Sequence, residues 1–130
     1  MDKLYTAAEL LGRILIAFLF LVSGVGKIGG YAGTQAYMAS MGVPGALLPL
    51  VILTEVGGAI AILVGWKTRW VAWALVPYVI IATAVVHKFW TYEAAQVFTQ
   101  TSFFYKNLSI IGALIYLGVV GPGRYSIDKA

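Results

Sequence analysis

The segment from Leu47 to Gly65, LLPLVILTEVGGAIAILVG, is 19 residues long and contains a single ionisable residue, Glu55, near its middle. As a helix it would extend ~28 Å, close to the ~30 Å hydrocarbon thickness of a bilayer. A carboxylate at that depth costs roughly 2.5 to 3.5 kcal/mol, and it is tolerated when it is protonated, paired with a cation or turned into protein. The other segments must therefore pack so that they satisfy Glu55.

The composition indicates that this segment is one of several membrane spans. Hydrophobic residues make up 61% of the 130-residue chain and charged residues 11%, against about 25% charged residues in soluble domains. We predict an all-α membrane protein with a single four-helix antiparallel bundle, with spans near residues 10–28, 47–65, 70–87 and 106–121. The first apolar run is interpreted as a retained span, because it is too long for a signal peptide and no cleavage site follows it.

The connection between the first two spans, GGYAGTQAYMASMGVP, is glycine-bounded and rich in aromatic and methionine residues. We predict a short helix from Thr34 to Met41 that lies in the membrane interface, with Tyr37, Met38 and Met41 facing lipid or a cavity. An ordinary loop is the alternative. The other long connection, residues 88–105, is unusually aromatic, as expected for a segment at the membrane surface.

The net charge of +4 does not indicate nucleic-acid binding, because the cations are scattered singly and form no basic stripe. They indicate topology instead. One side of the predicted bundle carries six cations and the other carries three: Lys3, Arg13, Lys67, Arg69, Arg124 and Lys129 against Lys27, Lys88 and Lys106. By the positive-inside rule we expect a multi-pass protein of the bacterial inner membrane with both termini in the cytoplasm and both long connections outside.

Two cations are candidate partners for Glu55. Arg13 and Lys27 are fourteen residues apart, which places them on the same face of the first helix. Helix arithmetic puts Arg13 ~9 Å below Glu55 and Lys27 ~12 Å above it. Because a guanidinium can hold a carboxylate through two hydrogen bonds, we predict an intramembrane ion pair between Arg13 and Glu55, with Lys27 as the alternative.

The outer ends of the spans bring further polar and aromatic residues together. His87 is the only histidine, so the chain cannot supply a histidine pair for haem or copper, and we predict no metal. We assign His87 as the candidate proton-transferring residue, because a free histidine titrates near pH 6.5. A purely structural bond to Thr83 or to an interfacial carbonyl is the alternative. The candidate ligand-binding residues are Lys27, Tyr37, Trp90, Lys106 and Asn107.

The order of these residues resembles the DoxX family of small bacterial inner-membrane proteins. The resemblance rests on Arg13, Gly24, Lys27, YMASMGVP, TEVGGAIAILVGWKTR, His87 with Trp90, Lys106, Asn107 and the terminal GPG. It covers nearly the whole chain. It implies four membrane helices and an association with redox metabolism, since the family takes its name from a subunit of a thiosulfate:quinone oxidoreductase.

Two functions stay open at this point, and whether the protein is an enzyme stays open with them. The first is a quinone-linked or other apolar-ligand site in a redox subunit, with a pocket open to the noncytoplasmic side. The chain has no cysteine and we expect no covalent cofactor, so a protein partner would carry the electrons. The second is a noncatalytic scaffold whose polar residues lock helices together, as a partner in assembly or as a homo-oligomer. A small-molecule transporter, suggested by Pro77 and Glu55, is a weaker third interpretation.

Overall fold

A computed structural model of the protein describes residues 2–86 and 94–128. These residues form a short helix and four long ones, and each long helix contains a segment apolar enough to cross a membrane. The helices are α1 (Asp2–Gly29), α2 (Tyr31–Ser40), α3 (Gly45–Val64), α4 (Thr68–Val86) and α5 (Ala94–Val120). The predicted all-α antiparallel bundle of four membrane-spanning helices is confirmed.

The helix α3 is not regular. It begins with a 3₁₀ turn at Gly45–Leu47, continues as an α-helix over Leu48–Ile52, widens into a π-helical turn at Leu53–Gly57 and returns to an α-helix over Gly58–Val64. Such π turns are rare and frequently occur at functional sites. Here the wide turn contains Glu55.

The bundle is assembled from two helix pairs, α1 with α3 and α4 with α5. Their inward faces form a core of small and branched side chains: Ala17, Phe20, Ala59, Ile62, Ala72, Leu75, Val79, Leu114 and Leu117. Large apolar side chains such as Leu15, Phe18 and Ile81 point outward and are more than half exposed. In a lipid environment this exposure carries no penalty, because the surrounding hydrocarbon is as apolar as the side chains.

Two helices are longer than the sequence predicted. The helix α1 begins at Asp2, well before residue 10, and α5 begins at Ala94, inside the segment that we expected to be a connection. The stretch AAQVFTQTSFFY before Lys106 contains no glycine or proline, and its alanine and glutamine residues favour helix. Aromatic residues there, including Phe98 and Phe103, are therefore helical.

The first long connection does contain a helix. It spans Tyr31–Ser40, begins three residues earlier than predicted, and has no buried residue. Gly42 ends the segment with a positive φ of 83°, a conformation that favours glycine. Gln35 holds the helix to the start of α3 through a hydrogen bond from its Nε2 to Gly45 O (3.1 Å). Its location in the membrane interface stays a prediction.

A glycine sets the distance between α1 and α3. A Cβ placed on Gly24 would lie 2.6 Å from Val56 Cγ2 and 3.2 Å from the backbone nitrogen of the same residue. Both distances are shorter than normal contacts, so the two helices approach this closely only because residue 24 has no side chain. This approach lies within one turn of Lys27 and next to Glu55.

We predict that Gly24→Ala destabilises the bundle, because the added methyl group forces α1 away from α3; overpacking of this kind costs ~1 to 3 kcal/mol. The matched control is Gly26→Ala on the same helix, where the added Cβ meets no atom within 4 Å. That change should be neutral or stabilising by ~0.5 to 1 kcal/mol, since alanine is the better helix former. Thermal unfolding in detergent measures both, and equal shifts for the two variants would contradict the close approach.

Candidate functional site

Glu55 lies in an ion pair with a cation of α1. Its side chain belongs to the π turn of α3 and the residue is 6% exposed. Lys27 Nζ donates to Glu55 Oε1 at 2.7 Å and to Ser23 Oγ at 2.7 Å. The Ser23 hydroxyl in turn faces both carboxylate oxygens, at 3.1 and 3.2 Å. Because Ser23 and Lys27 are four residues apart on a helix, both reach the carboxylate from the same side.

The prediction that Glu55 is buried in the bundle is confirmed, and the prediction that it pairs with Arg13 is wrong. Lys27, the alternative, is the partner. The close approach at Gly24 brings the last turns of α1 against the π turn, so Lys27 is within direct reach. Arg13 lies fourteen residues before Lys27 on α1, which corresponds to a helical rise of ~21 Å.

Arg13 is instead bound at the opposite end of α1 by backbone carbonyl groups. The residue is 2% exposed. It donates from Nη1 to Pro122 O (2.5 Å) and from Nη2 to Leu63 O (3.1 Å) and Tyr125 O (2.5 Å). These carbonyls belong to the end of α3 and to the segment that follows α5. Arg13 therefore joins three parts of the chain at this end of the bundle.

The segment 121–128, which we call the tail, docks on the turn between α3 and α4. Ile127 N donates to Val64 O (3.0 Å) and Asp128 N donates to Gly65 O (2.9 Å). The Asp128 carboxylate accepts from the backbone N–H groups of Lys67 and Thr68, both at 2.8 Å, and so caps the start of α4.

The hydrogen bond from the backbone N–H of Thr68 is the largest of the interactions that lower the pKa of Asp128 below its ordinary value. Because folding lowers this pKa, the contribution of the cap to stability is complete above the unfolded pKa of ~3.9 and is lost as the pH falls through the lower folded value. The cap is therefore fully formed at neutral pH.

A cavity of about 440 Å³ opens beside the Lys27–Glu55 pair. Every helix contributes to its wall, and apolar side chains such as Phe20, Val51 and Ile110 form most of it. Its polar lining residues, tyrosines included, are Ser23, Lys27, Thr34, Tyr37, Glu55, Tyr78, Lys106 and Asn107. The size and the mixture of an apolar wall with a few polar groups are typical of small-molecule sites.

Four of the predicted ligand-binding residues, Lys27, Tyr37, Lys106 and Asn107, line this one cavity. Asn107 Nδ2 donates to Thr83 Oγ1 at 3.0 Å, which links α5 to α4. Lys106 Nζ lies 4.8 Å from the centre of the Phe103 ring, in a cation–π contact. The remaining two predicted residues, Trp90 and the candidate proton donor His87, lie outside the described residues, so their roles stay predictions.

Three polar residues of the cavity were not predicted as site residues: Ser23, Thr34 and Tyr78. Ser23 was detectable, because it lies one helical turn before Lys27 on the same face. Tyr78 was harder to find, since it follows Pro77 in an otherwise apolar run. It lines the same cavity as Glu55. In the described ranges, 2–86 and 94–128, no three histidine, cysteine or acidic residues are grouped as a metal site would require.

Comparisons with known proteins give the family. The family model of DoxX matches residues 8–88, which is more than half of the chain. The chain belongs to the DoxX family. Two inner-membrane proteins of Escherichia coli strain K12 are similar over nearly their full lengths. YqjF is 44% identical over 99% of this chain and 95% of that protein, and YphA is 35% identical over 92% and 87%.

This DoxX-family protein is thus a multi-pass protein of the inner membrane. A more distant relative is CatD of Bacillus subtilis, whose name provisionally calls it an oxidoreductase. CatD is 30% identical over 53% of this chain and 52% of its own length. No solved structure gives a significant match.

A double-mutant cycle tests the ion pair of this DoxX-family protein. Lys27→Met leaves the Glu55 carboxylate in an apolar wall, and Glu55→Gln leaves the ammonium of Lys27 without its counter-charge. Each single change should destabilise the protein, and the double change should cost less than their sum by ~0.5 to 3 kcal/mol. Unfolding free energies in detergent give the coupling. Additive effects, or coupling of Glu55 to Arg13→Met instead, would contradict the assigned pair.

Proposed function

We propose that this DoxX-family protein is a membrane subunit of a redox system that binds a quinone-like ligand in the 440 Å³ cavity. Such a ligand is an apolar ring with carbonyl oxygens. The observation that supports this proposal is the composition of the cavity. Its wall is mostly apolar, its size is suitable, and Lys27, Lys106 and Asn107 line it with N–H donors. Donors of this kind are the groups that a ligand carbonyl requires in an apolar site.

The roles of individual residues follow from this arrangement. Lys106 is exposed and Asn107 is half-buried, and both donate to a ligand oxygen at the α5 side of the cavity. Tyr37 of α2 and Trp90 pack against the ring. His87 transfers protons to and from the ligand, and a protein partner supplies the electrons, since this chain has no cysteine and carries no thiol relay. The provisional name of CatD supports a redox role.

This function is tested by measuring how much decylubiquinone binds to the protein in nanodiscs. Binding to empty nanodiscs is subtracted as the background. We expect Lys106→Gln to weaken binding about tenfold, because it removes a charged donor worth ~1.5 kcal/mol at a position with little structural role. Lys67→Gln removes the same charge from an exposed turn outside the cavity and is the matched control.

The His87→Gln variant should bind quinone normally and show slower quinone-dependent turnover. No retention of quinone by the unaltered protein would refute the function.

We also propose that the cavity opens to the noncytoplasmic side and that both termini are cytoplasmic. The end of the bundle that holds Arg13 and the tail also carries Lys67, Arg69 and Arg124, as the positive-inside rule requires of a cytoplasmic face.

Because the chain has no cysteine, single cysteines report the orientation directly. Gly33→Cys, on the exposed surface of α2, should react with an impermeant thiol reagent added to intact cells. Arg124→Cys, exposed in the tail, should react only after the membrane is opened. The reverse pattern of labelling would invert the topology.

A scaffold function is the second candidate, and a specific observation favours it. The same polar groups join helices: Lys27 with Glu55 links α1 to α3, and Asn107 with Thr83 links α5 to α4. Intramembrane hydrogen bonds of this kind stabilise helix packing by roughly 0.6 to 2 kcal/mol each. On this account the cavity is filled by lipid, and the quinone titration above gives no signal over empty nanodiscs.

A further inference from the structure

The wall of the cavity is incomplete at its sides. A side chain in the wall of an enclosed cavity is covered by protein, as Phe20 and Val79 of this wall are. Two other apolar lining residues are open to the outside: Ile81 of α4 is 63% exposed and Leu19 of α1 is 37% exposed. They stand at the edge of the cavity, where its inner surface continues onto the outer surface of the bundle. We call Leu19 and Ile81 the side rim.

The side rim lies at the depth of the lipid acyl chains. Ile81 is four residues before the end of its membrane-spanning segment, and Leu19 is ten residues before the end of its own. At 1.5 Å per residue these positions are ~6 Å and ~15 Å inside the bilayer end of each segment. The cavity therefore communicates with the hydrocarbon of the membrane.

The opening beside Ile81 follows from the way in which the two helix pairs meet. The helix α3 contacts α4 through its last part, Gly58–Val64. The approach there is close, since a Cβ added to Gly58 would lie 3.3 Å from Leu75 Cδ1. The part of α3 before Gly58 packs on α1 and lines the cavity. The pairs thus join at one end of the bundle and leave a space between them at the other.

We infer that the ligand enters the cavity from the bilayer past the side rim, and that it is a quinone with a long hydrocarbon tail. The inference rests on the proposed quinone site and adds the class of quinone and its route. The ring lies beside the polar groups of the cavity, Lys27, Lys106 and Asn107. The tail passes the side rim and stays among the acyl chains of the lipid.

The position of the opening decides what a tail costs. A tail beside the side rim stays in hydrocarbon, so its transfer from the lipid is nearly neutral, because lipid tails and apolar side chains are equally apolar. A tail that left through the polar end of the cavity would enter water, and each CH₂ group moved in this way lowers binding about fourfold. A cavity closed at its sides would reject long-tailed quinones, and this one accepts them.

Photolabelling of the unaltered protein in nanodiscs shows where the tail lies. The probe is a decylubiquinone analogue with a diazirine at the far end of its tail, and it is irradiated with and without an excess of decylubiquinone. Probe dissolved in the lipid labels all outward-facing residues, but the excess displaces only bound probe. We expect the excess to remove the labelling that bound probe contributes at the side rim. Labelling at Leu53 and Leu108, which are exposed and do not line the cavity, should stay unchanged.

The outcomes separate this inference from the function on which it rests. Displaceable labelling confined to α2, or none in a protein that retains decylubiquinone, would overturn the route and leave the quinone site itself standing. A protein that retains no decylubiquinone would refute both the route and the proposed function.

Two double variants test whether binding depends on the opening. Leu19→Trp with Ile81→Trp adds bulk at the side rim, whereas Leu15→Trp with Ile80→Trp adds the same bulk at exposed positions of the same helices that do not line the cavity. We expect the rim variant to bind decylubiquinone about fourfold more weakly than the control or worse, the effect of moving one CH₂ group or more out of hydrocarbon. Both variants should bind the same quinone ring without a tail equally well. Equal binding of decylubiquinone by the two variants, or an equal loss for both quinones, would contradict the route.

Discussion

A carboxylate in the middle of an apolar helix must be neutralised by groups from the same bundle, and the arrangement of this protein depends on how that is done. Lys27 and Ser23 approach Glu55 from the adjacent helix at hydrogen-bonding distance. They reach it because Gly24 lets the two backbones close together, and because a π turn presents Glu55 towards them. A glycine, a widened turn and an ion pair thus form one unit beside the cavity.

The two buried cations of α1 divide the bundle into two chemically different ends. Lys27 is neutralised by a carboxylate and lines a cavity, so it keeps a donor for a ligand. Arg13 is held by backbone carbonyls of α3 and the tail, and it does not line the 440 Å³ cavity. Its Nε has no hydrogen-bond partner in the same part of the chain. The proposed ligand site therefore lies at the Lys27 end, and the contacts of Arg13 hold α1, α3 and the tail together at the other end.

Hydropathy and helix periodicity predicted the four spans, the burial of Glu55 and most of the polar lining of the cavity, because those properties depend on local sequence. The partner of Glu55 was not predictable in this way. It depends on the register of α1 against α3, which the contact between Gly24 and Val56 sets. The docking of the tail was missed for a similar reason: its backbone bonds to Val64 and Gly65 leave no pattern in the sequence.

The central claim is that Lys27, and not Arg13, neutralises Glu55 within the membrane. Solid-state NMR of the protein in lipid bilayers, with ¹³C in the Glu55 carboxyl and ¹⁵N in the lysine and arginine side chains, measures this directly through the dipolar coupling between the two nuclei. We predict strong coupling of the carboxyl carbon to the Lys27 ammonium nitrogen, as an N–O distance of 2.7 Å requires. Coupling to the guanidinium of Arg13, or to neither cation, would contradict the account.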